Sequence, residues 1–366
     1  MSHKMTKGSH FPLPEGSVIG ILGGGQLGRM TAIAAAELGY RCHVFAPDGD
    51  APATDIAMAS TRADYEDTQA LSVFAESVDT ITSEFENVPA ETMEYLARLR
   101  PVSPGPEALR VAQHRIAEKS LASTLGIATP RFAAISRSED IRDPLASMPK
   151  GAILKTCRFG YDGKGQVSIR TEAEADDAFN ALASDDCILE ERVEFIAEAS
   201  FLVARTAAGE TAVFPPSLNT HRDGILDTST APADPEIISD ALTREGSEGA
   251  MALANHLDVS GVLAVEMFVT ERGLVFNEMA PRPHNSFHWT IEGAETSQFS
   301  QLVRAITGLP LGSTKAIGIW QMENILGEHM AKLDAALSEK GAFVHRYGKA
   351  FPRPGRKMAH ITRQLS

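Results

Sequence analysis

The chain is short of cysteine, of positive charge and of long apolar runs, and each shortage removes a class of function. Cys42, Cys157 and Cys187 are the only three cysteines in 366 residues. They are far apart and odd in number, so their spacing encodes neither a zinc motif nor a disulfide framework, which suits a reducing cytoplasm. Lysine and arginine number 34 against 48 acidic residues, for a net charge of −14. That balance argues against nucleic acid and membrane surfaces as partners, because both call for basic faces. No stretch approaches the roughly 20 apolar residues that span a bilayer. Internal repeats and low-complexity segments are absent too. Residues 1–16 are polar, carry Pro12 and Pro14, and lack the apolar centre of a signal peptide, so a loose, flexible tail is expected there.

What is present describes a globular protein. Hydrophobic residues make up 43% and charged residues 22%, and the length allows two or three domains with cores of their own. Strands and helices alternate at the start. Val18–Leu22 is an apolar run ending at Gly23-Gly24-Gly25, Gln26–Leu38 has helix formers and stops at Gly39, and Arg41–Phe45 and Asp79–Thr82 read as further strands. This is the βαβ order of a parallel sheet. Pro104-Gly105-Pro106 breaks the chain before a helical stretch from Glu107 to Leu125. Residues 151–206 are rich in strands, Glu236–Leu257 is helical, strands return over 262–280, and a helix follows over about 296–307. Gly308–Gly312 marks the last boundary.

Two glycine loops carry the chemistry. Gly23, Gly25 and Gly28 form G-x-G-x-x-G between a strand and a helix, with Asp48 further on, which is the dinucleotide fingerprint. Its physics is only a helix N-terminus open to an anion. The second loop follows Lys155, which closes the apolar run Ala152-Ile153-Leu154. It runs Gly160-Tyr161-Asp162-Gly163-Lys164-Gly165-Gln166. Glycines let a backbone fold over phosphate oxygens with its N–H groups inward, and Lys155 and Lys164 add positive charge there. A plain surface hairpin is the alternative. An enzyme with two ligand sites explains both loops; a nicotinamide dehydrogenase explains only the first.

Two apolar runs, Val262–Val269 and Leu274–Met279, flank a turn at Thr270–Gly273. A three-residue loop of Glu271, Arg272 and Gly273 pairs Thr270 with Leu274, Phe268 with Phe276 and Glu266 with Glu278. Opposed carboxylates in apolar surroundings repel each other, and a divalent cation such as Mg²⁺ resolves the conflict. A shifted register would leave both in water. In a regular strand Asn277 points to the opposite face. The strand Cys187–Val193, with Glu190, Glu191 and Arg192, followed by Glu198, offers backbone and carboxylates to a purine nucleoside, but these residues read equally as surface acids. Arg282-Pro283-His284-Asn285-Ser286-Phe287-His288 gathers donors after the hairpin. The i,i+4 histidines lack the glutamate that a zinc-protease motif places where Asn285 stands. Lys349, Arg353, Arg356 and Lys357 make a basic loop shaped by Pro352, Pro354 and Gly355. No histidine is near Cys157 in sequence, so a nucleophilic role has little support.

In this order, Gly23–Met30, Glu84-Phe-Glu-Asn-Val88, Gly160–Gln166, Asn277–Ser286 and Arg353–Lys357 resemble the ATP-grasp carboxylate–amine ligases over about residues 17–363. Among these the chain is most similar to the branch acting on 5-aminoimidazole ribonucleotide in purine biosynthesis. The resemblance implies an α/β and α+β architecture. A Rossmann-like pre-ATP-grasp domain would cover 17–113, an ATP-grasp domain 114–308 with its lid at about 120–188, and a small C-terminal domain 309–366. It implies ATP- and bicarbonate-dependent carboxylation of the ribonucleotide's amine through carboxyphosphate, giving ADP and phosphate, in a cytoplasmic homodimer. It places Arg115, Lys155, the 160–166 loop, Glu190, Glu191, Arg192, Val193, Glu198, His221, Asn277 and Glu278 on ATP. Glu266 and Glu278 would hold Mg²⁺. Gln26, Leu27, Glu84, Tyr161, Asp162, Arg282, His284, Asn285, Ser286, Lys349, Arg356 and Lys357 would meet the ribonucleotide. Lys155, Tyr161, Asp162 and Lys357 would act in catalysis. Phe287 and Ala359 stand where this family has glycine, which puts two extra side chains near the substrate pocket. A sister enzyme using formate on glycinamide ribonucleotide shares the fold and is the alternative, with a dehydrogenase behind it.

Overall fold

The computed structural model describes residues 11–160 and 165–365. Five strands, β1 Val18–Leu22, β2 Arg41–Phe45, β3 Ala59–Thr61, β4 Thr80–Ser83 and β5 Val102–Ser103, form a parallel sheet in the order β3-β2-β1-β4-β5. Both faces of β1 are covered, which is why it reads as an unbroken apolar run rather than an alternating one. The strand order reverses between β1 and β4, so the loops after these two strands meet at the crevice where such sheets bind ligands.

Four antiparallel strands, β6 Phe132–Ile135, β7 Ala152–Thr156, β8 Gln166–Ile169 and β9 Cys187–Glu191, form a second sheet in the order β6-β9-β7-β8. It has a core of its own, with Ile135, Ile141, Leu145, Leu154, Ile169 and Leu189 packed under helix Ala175–Leu182. Ile153 and Lys155 of β7 and Gln166 of β8 face the cleft described below.

The third sheet has nine antiparallel strands: β10 Ala197–Arg205, β11 Thr211–Val213, β12 Ser217–Arg222, β13 Ile225–Ala231, β14 Gly261–Thr270, β15 Gly273–Ala280, β16 Ile319–Leu326, β17 Ala342–Arg346 and β18 Lys357–Leu365. Their order is β15-β14-β10-β12-β13-β16-β18-β17, with β11 on β10. Helix Asp240–His256 covers one face, starting at Ser239, whose hydroxyl accepts from the Leu242 amide. A Cβ on Gly246 would stand 2.2 Å from the Phe201 ring, so glycine is what lets this helix lie so close. Helix Gln298–Thr307 packs on the other face together with the first domain, and Gly308 ends it at φ +77°.

Two expectations change, and the small C-terminal domain gains a detail. The helix expected over Glu107–Leu125 is two, Pro106–Ala112 and Arg115–Thr124. The Gln113 amide donates to the carbonyls of Glu86 and Val88, both at 2.7 Å, and His114 is extended, which redirects the second helix toward β15. The C-terminal segment is not separate in its sheet: β16 pairs with β13, so β16 to β18 prolong the central sheet. The last residues of the presumed tail are packed. Leu13 is buried, its amide donates to the Thr307 carbonyl at 2.8 Å, and its own carbonyl accepts from the Tyr40 hydroxyl. No helix among the described residues is long and apolar enough to cross a membrane.

Candidate active site

The three sheets converge on one cleft of about 790 Å³. Its first wall holds the G-x-G-x-x-G loop after β1, whose anion is already supplied by the protein. The Glu84 carboxylate, after β4, accepts from the Gly25 amide at 2.7 Å and the Gly28 amide at 3.2 Å. Cβ atoms at Gly23 and Gly25 would stand 2.6 and 2.9 Å from Glu84 Oε1, so these glycines make room for a carboxylate rather than for a dinucleotide. The expected phosphate cradle here is therefore corrected: Glu84 fills it. Burial raises the Glu84 carboxyl against the pull of these amides, and Gln26 and Leu27 reach the cleft from the same turn.

The second wall is a chain of buried charges. Lys155 Nζ donates to Glu190 Oε2 at 2.8 Å, Lys119 Nζ lies 3.3 Å from Glu190 Oε1, and Lys119 also donates to the Asn277 carbonyl at 2.5 Å. Burial lowers Lys155 below the usual ammonium range, while Glu190 pulls it back. Arg115 donates to Glu278 Oε2 at 3.1 Å, and the Met279 amide donates to Glu118 Oε2 at 3.1 Å. Burial pushes the Glu118 carboxyl up to about 8.

The third wall is the hairpin β14–β15. Glu266 does pair with Glu278, by a different route from the expected one. The loop has two residues, Glu271 and Arg272, because Thr270 pairs with Gly273; Thr270 Oγ1 accepts from the Arg272 amide at 3.1 Å and donates to the Gly273 carbonyl at 2.9 Å. Phe268 therefore meets Val275, not Phe276, and a bulge at Asn277 restores the glutamate pairing. The extra residue sits in the strand instead of the turn. A bulge sets two residues against one partner and re-aims side chains, and Asn277 and Glu278 both line the cleft. Burial pushes Glu266 up to about 7, with Glu278 adding to it. Burial also raises Glu278, but Arg115 and Lys155 outweigh it and hold that carboxyl below its usual range. Two opposed carboxylates disfavour being charged together, a divalent cation would relieve that conflict, and the donor set fits a hard cation.

The far end presents a different chemistry. Arg282 is ion-paired to Glu86, and the His284 ring contacts Ser286 Oγ at 2.8 Å and Glu266 Oε1 at 3.3 Å. Burial and Arg282 hold the His284 imidazole well below its usual range, so it is neutral. Asn285 and Asn324 exchange two amide hydrogen bonds of 3.0 and 2.7 Å, which fixes the Asn285 amide. Arg356 donates to Asp50 Oδ2 at 2.7 Å, Lys349 donates to the Lys357 carbonyl at 2.8 Å, and burial with Arg356 brings the Lys349 ammonium down to about 8.

Of the residues singled out in the sequence, Gln26, Leu27, Glu84, Arg115, Lys155, Gly160, Gln166, Glu198, His221, Glu266, Asn277, Glu278, Arg282, His284, Asn285, Lys349, Arg356 and Lys357 line this cleft. His221 Nδ1 lies 2.9 Å from Glu198 Oε2, and this carboxylate outweighs burial to raise the histidine. Tyr161, Asp162, Gly163 and Lys164 lie outside the described residues. Six others are beside the cleft rather than on it, among them Gly165, whose carbonyl accepts from the Thr156 amide at 3.0 Å. Glu190 is turned beneath Lys155, Glu191 pairs with Arg131 at 2.7 Å, the Arg192 amide donates to the Gly151 carbonyl, Val193 follows half-buried, and Ser286 lies under His284. Phe287 is fully buried near Phe214 and Trp289, and Ala359 packs with Ile325 and Ile361, so neither side chain enters the cleft. Among the described residues the one group of three ligand-type side chains within 4.8 Å is His114, Cys157 and Asp186.

Sequence reasoning missed Asp50, Glu86, Glu118, Lys119, Ile153 and Phe268. Phe268 was accessible in principle, since strand alternation puts it on the face of Glu266. It stacks on Phe195 at 4.8 Å and, with Ile153, adds apolar surface to the lining, suited to a planar base.

Known proteins share these parts in the same order. Residues 17–113 match the ribonucleotide synthetase preATP-grasp domain, 120–299 the ATP-grasp domain, and 321–364 the phosphoribosylaminoimidazole carboxylase C-terminal domain. The N5-carboxyaminoimidazole ribonucleotide synthase of Brucella melitensis is 43% identical over 354 residues, covering 96% of this chain and 97% of that protein. The bifunctional purine synthesis protein purC/E of Dictyostelium discoideum is 42% identical over 380 residues, and the chain spans 38% of its length. The crystal structure of the Aspergillus clavatus N5-carboxyaminoimidazole synthase in complex with ADP and 5-aminoimidazole ribonucleotide superimposes with a TM-score of 0.89 at 29% identity, covering 96% of this chain and 94% of that one. Full-length identity at this level, on top of three matching domains around one charged cleft, assigns the chain to the N5-carboxyaminoimidazole ribonucleotide synthase family of ATP-grasp ligases.

Proposed function

We propose that the chain uses ATP and bicarbonate to carboxylate the amine of 5-aminoimidazole ribonucleotide, giving N5-carboxyaminoimidazole ribonucleotide, ADP and phosphate. The observation that carries this reading is the opposed Glu266–Glu278 pair, which shares one cleft with Lys155 on the lid side and with Arg282, His284, Lys349 and Arg356 on the other. One end suits a nucleoside triphosphate and the other a phosphorylated, amine-bearing ribonucleotide.

Phe268 and Ile153 would cover the adenine, with Glu198 and His221 on the ribose. Glu190, Glu191, Arg192 and Val193 would frame the base from the end of β9, and Ser286 would hold His284. Lys155, Arg115 and the 160–166 loop would hold the phosphates, with Lys155 leaving Glu190 for a phosphate oxygen. Glu266, Glu278 and Asn277 would hold Mg²⁺, which when bound offsets charge on the transferring phosphoryl group. Bicarbonate is a poor electrophile, and phosphorylation turns it into an acyl donor that water would destroy. The glycine loop, with Tyr161 and Asp162, would close over it and order the amine for attack. Arg282, Lys349, Arg356 and Lys357 would bind the ribonucleotide and its phosphate, and a neutral His284, whose Nδ1 accepts from the Ser286 amide, would keep its proton on Nε2 toward Glu266. The family resemblance implies a cytoplasmic homodimer, which sedimentation equilibrium tests for the assembly.

Glu84 on the Gly25 and Gly28 amides leaves a dehydrogenase no place for its pyrophosphate. Phosphate release from ATP, with bicarbonate or formate crossed against aminoimidazole and glycinamide ribonucleotides, separates the remaining readings. Release that requires bicarbonate and aminoimidazole ribonucleotide together supports the proposal; release driven by formate and glycinamide ribonucleotide overturns it.

A further inference from the structure

One cluster of ligating side chains is given no role in the reaction above, although one member, Cys157, also borders the cleft. His114, Cys157 and Asp186 present a ring nitrogen, a thiol sulfur and a carboxylate oxygen within 4.8 Å of one another. His114 Nε2 stands 3.4 Å from Asp186 Oδ1, close to the roughly 3.3 Å that separates two ligands held about 2.0–2.1 Å from a tetrahedral zinc ion. The other ring nitrogen, Nδ1, is buried with no hydrogen-bond partner. Cys157 is buried, while Asp186 is half-exposed at the edge of an open hollow of about 470 Å³, which gives a cation its way in. Arg158 reaches the other carboxylate oxygen, Oδ2, at 3.9 Å and leaves Oδ1 to the histidine. Sulfur with imidazole and one carboxylate is a soft to borderline donor set, unlike the all-oxygen pair on β14 and β15.

The position of the cluster decides what filling it would do. Cys157 and Asp186 belong to the lid: one follows β7 just after Lys155 and the other precedes β9. His114 caps helix Arg115–Thr124, which lies against β15 in the core. The Arg115 amide donates to the Cys157 carbonyl at 3.1 Å, so lid and core already touch here. We propose that His114, Cys157 and Asp186 form an inhibitory site for a thiophilic divalent cation such as Zn²⁺, which clamps the lid to the core at its hinge. Binding turns the Cys157 thiol into a thiolate and releases that proton to solvent, with His114 neutral and Asp186 ionised. The clamp fixes the strand that carries Lys155 and the root of the 160–166 loop, both of which would have to move in each catalytic cycle.

The inhibition rests on the proposed reaction; the binding does not, so the two are read separately. Co²⁺ titrated into the full chain serves as the spectroscopic probe. We expect one equivalent to produce a thiolate-to-cobalt charge-transfer band that Zn²⁺ abolishes, that Cys157→Ala lacks, and that Asp186→Asn shows only at ten-fold or higher Co²⁺. No band in the wild type, or the same band in Cys157→Ala, overturns the site. One equivalent of Zn²⁺ should lower ATP turnover at least ten-fold in the wild type and less than two-fold in Asp186→Asn. A cobalt band with turnover unchanged by Zn²⁺ overturns the clamp. Absence of turnover in metal-free wild type overturns the assigned reaction while the band still decides the site.

Discussion

Lys155 and Glu266 are the residues in which the site's electrostatics are most concentrated. Lys155 sits with Lys119 and Arg115 around two carboxylates, the buried Glu190 and the partly exposed Glu278. Lys155→Met removes the one lysine of that group on the cleft lining, and an ATP turnover lower by about 10²–10³-fold is expected, in line with the loss of a preorganised donor to a developing charge. Steady-state kinetics checks it, with Lys155→Arg recovering part of the loss. Glu266 makes a pH prediction. Its carboxyl ordinarily titrates at 4.5 and is pushed up to about 7 in the fold. Between these values the native state binds the extra proton, so this contribution to stability is complete below about pH 4.5 and is lost as pH rises through about 7. Thermal unfolding of the ligand-free protein should therefore show a Tm that declines from pH 5 to 7.5, and Glu266→Gln should flatten that decline; an identical slope in the variant would contradict the burial argument. The pairing of Glu266 with Glu278 was legible in the sequence because strand alternation and residue count constrain it. Lys119 and Glu118 were not, since nothing in a helical stretch of mixed polarity tells which charged side chain the break at His114 turns inward.

At the scale of elements, the glycine-rich turn after β1 and the bulge in β15 show how one pattern serves different chemistry. The G-x-G-x-x-G spacing correctly gives a strand, a tight turn and a helix N-terminus, but a sequence pattern cannot tell whether the anion it accommodates is a ligand or a side chain. Here it is Glu84, which comes from the neighbouring strand in the sheet and 59 residues away from Gly25 in the chain. Glu84→Ala should strand two amide donors and lower stability by about 1–2 kcal/mol, read as a shift in the urea midpoint, whereas Glu84→Gln keeps an acceptor and should lose less. A wild-type midpoint in the alanine variant would show that the turn does not depend on this carboxylate. The hairpin illustrates the opposite case. Loop and strand residues trade places between Glu271 and Asn277, so the expected contact survives while the turn type and the pairing of Phe268 do not.

The whole molecule is organised around a lid that packs on its own core and a central sheet shared by two segments of the chain. The N-terminal βαβ order, the lid strands and the ATP-grasp hairpin could be read from local patterns. The continuation of the sheet through β16 to β18 could not, because it depends on β13 meeting β16 across 88 intervening residues of chain, from Ala231 to Trp320. The separate core of the lid predicts its response to nucleotide. A non-hydrolysable ATP analogue with Mg²⁺ should slow amide exchange most in β7, β8 and the intervening loop, and least in β2 and β3 on the far side of the first sheet. Uniform protection would contradict a lid that closes as a unit. The central claim is that the triphosphate lies between Lys155 and the opposed glutamates, and a crystal structure of the chain with that analogue and Mg²⁺ tests it most directly. The account predicts phosphate oxygens on Lys155 and Arg115, with the cation between Glu266 and Glu278. A nucleotide seated instead on the Gly23–Gly25 turn, with Glu84 displaced and the two glutamates unoccupied, would contradict it.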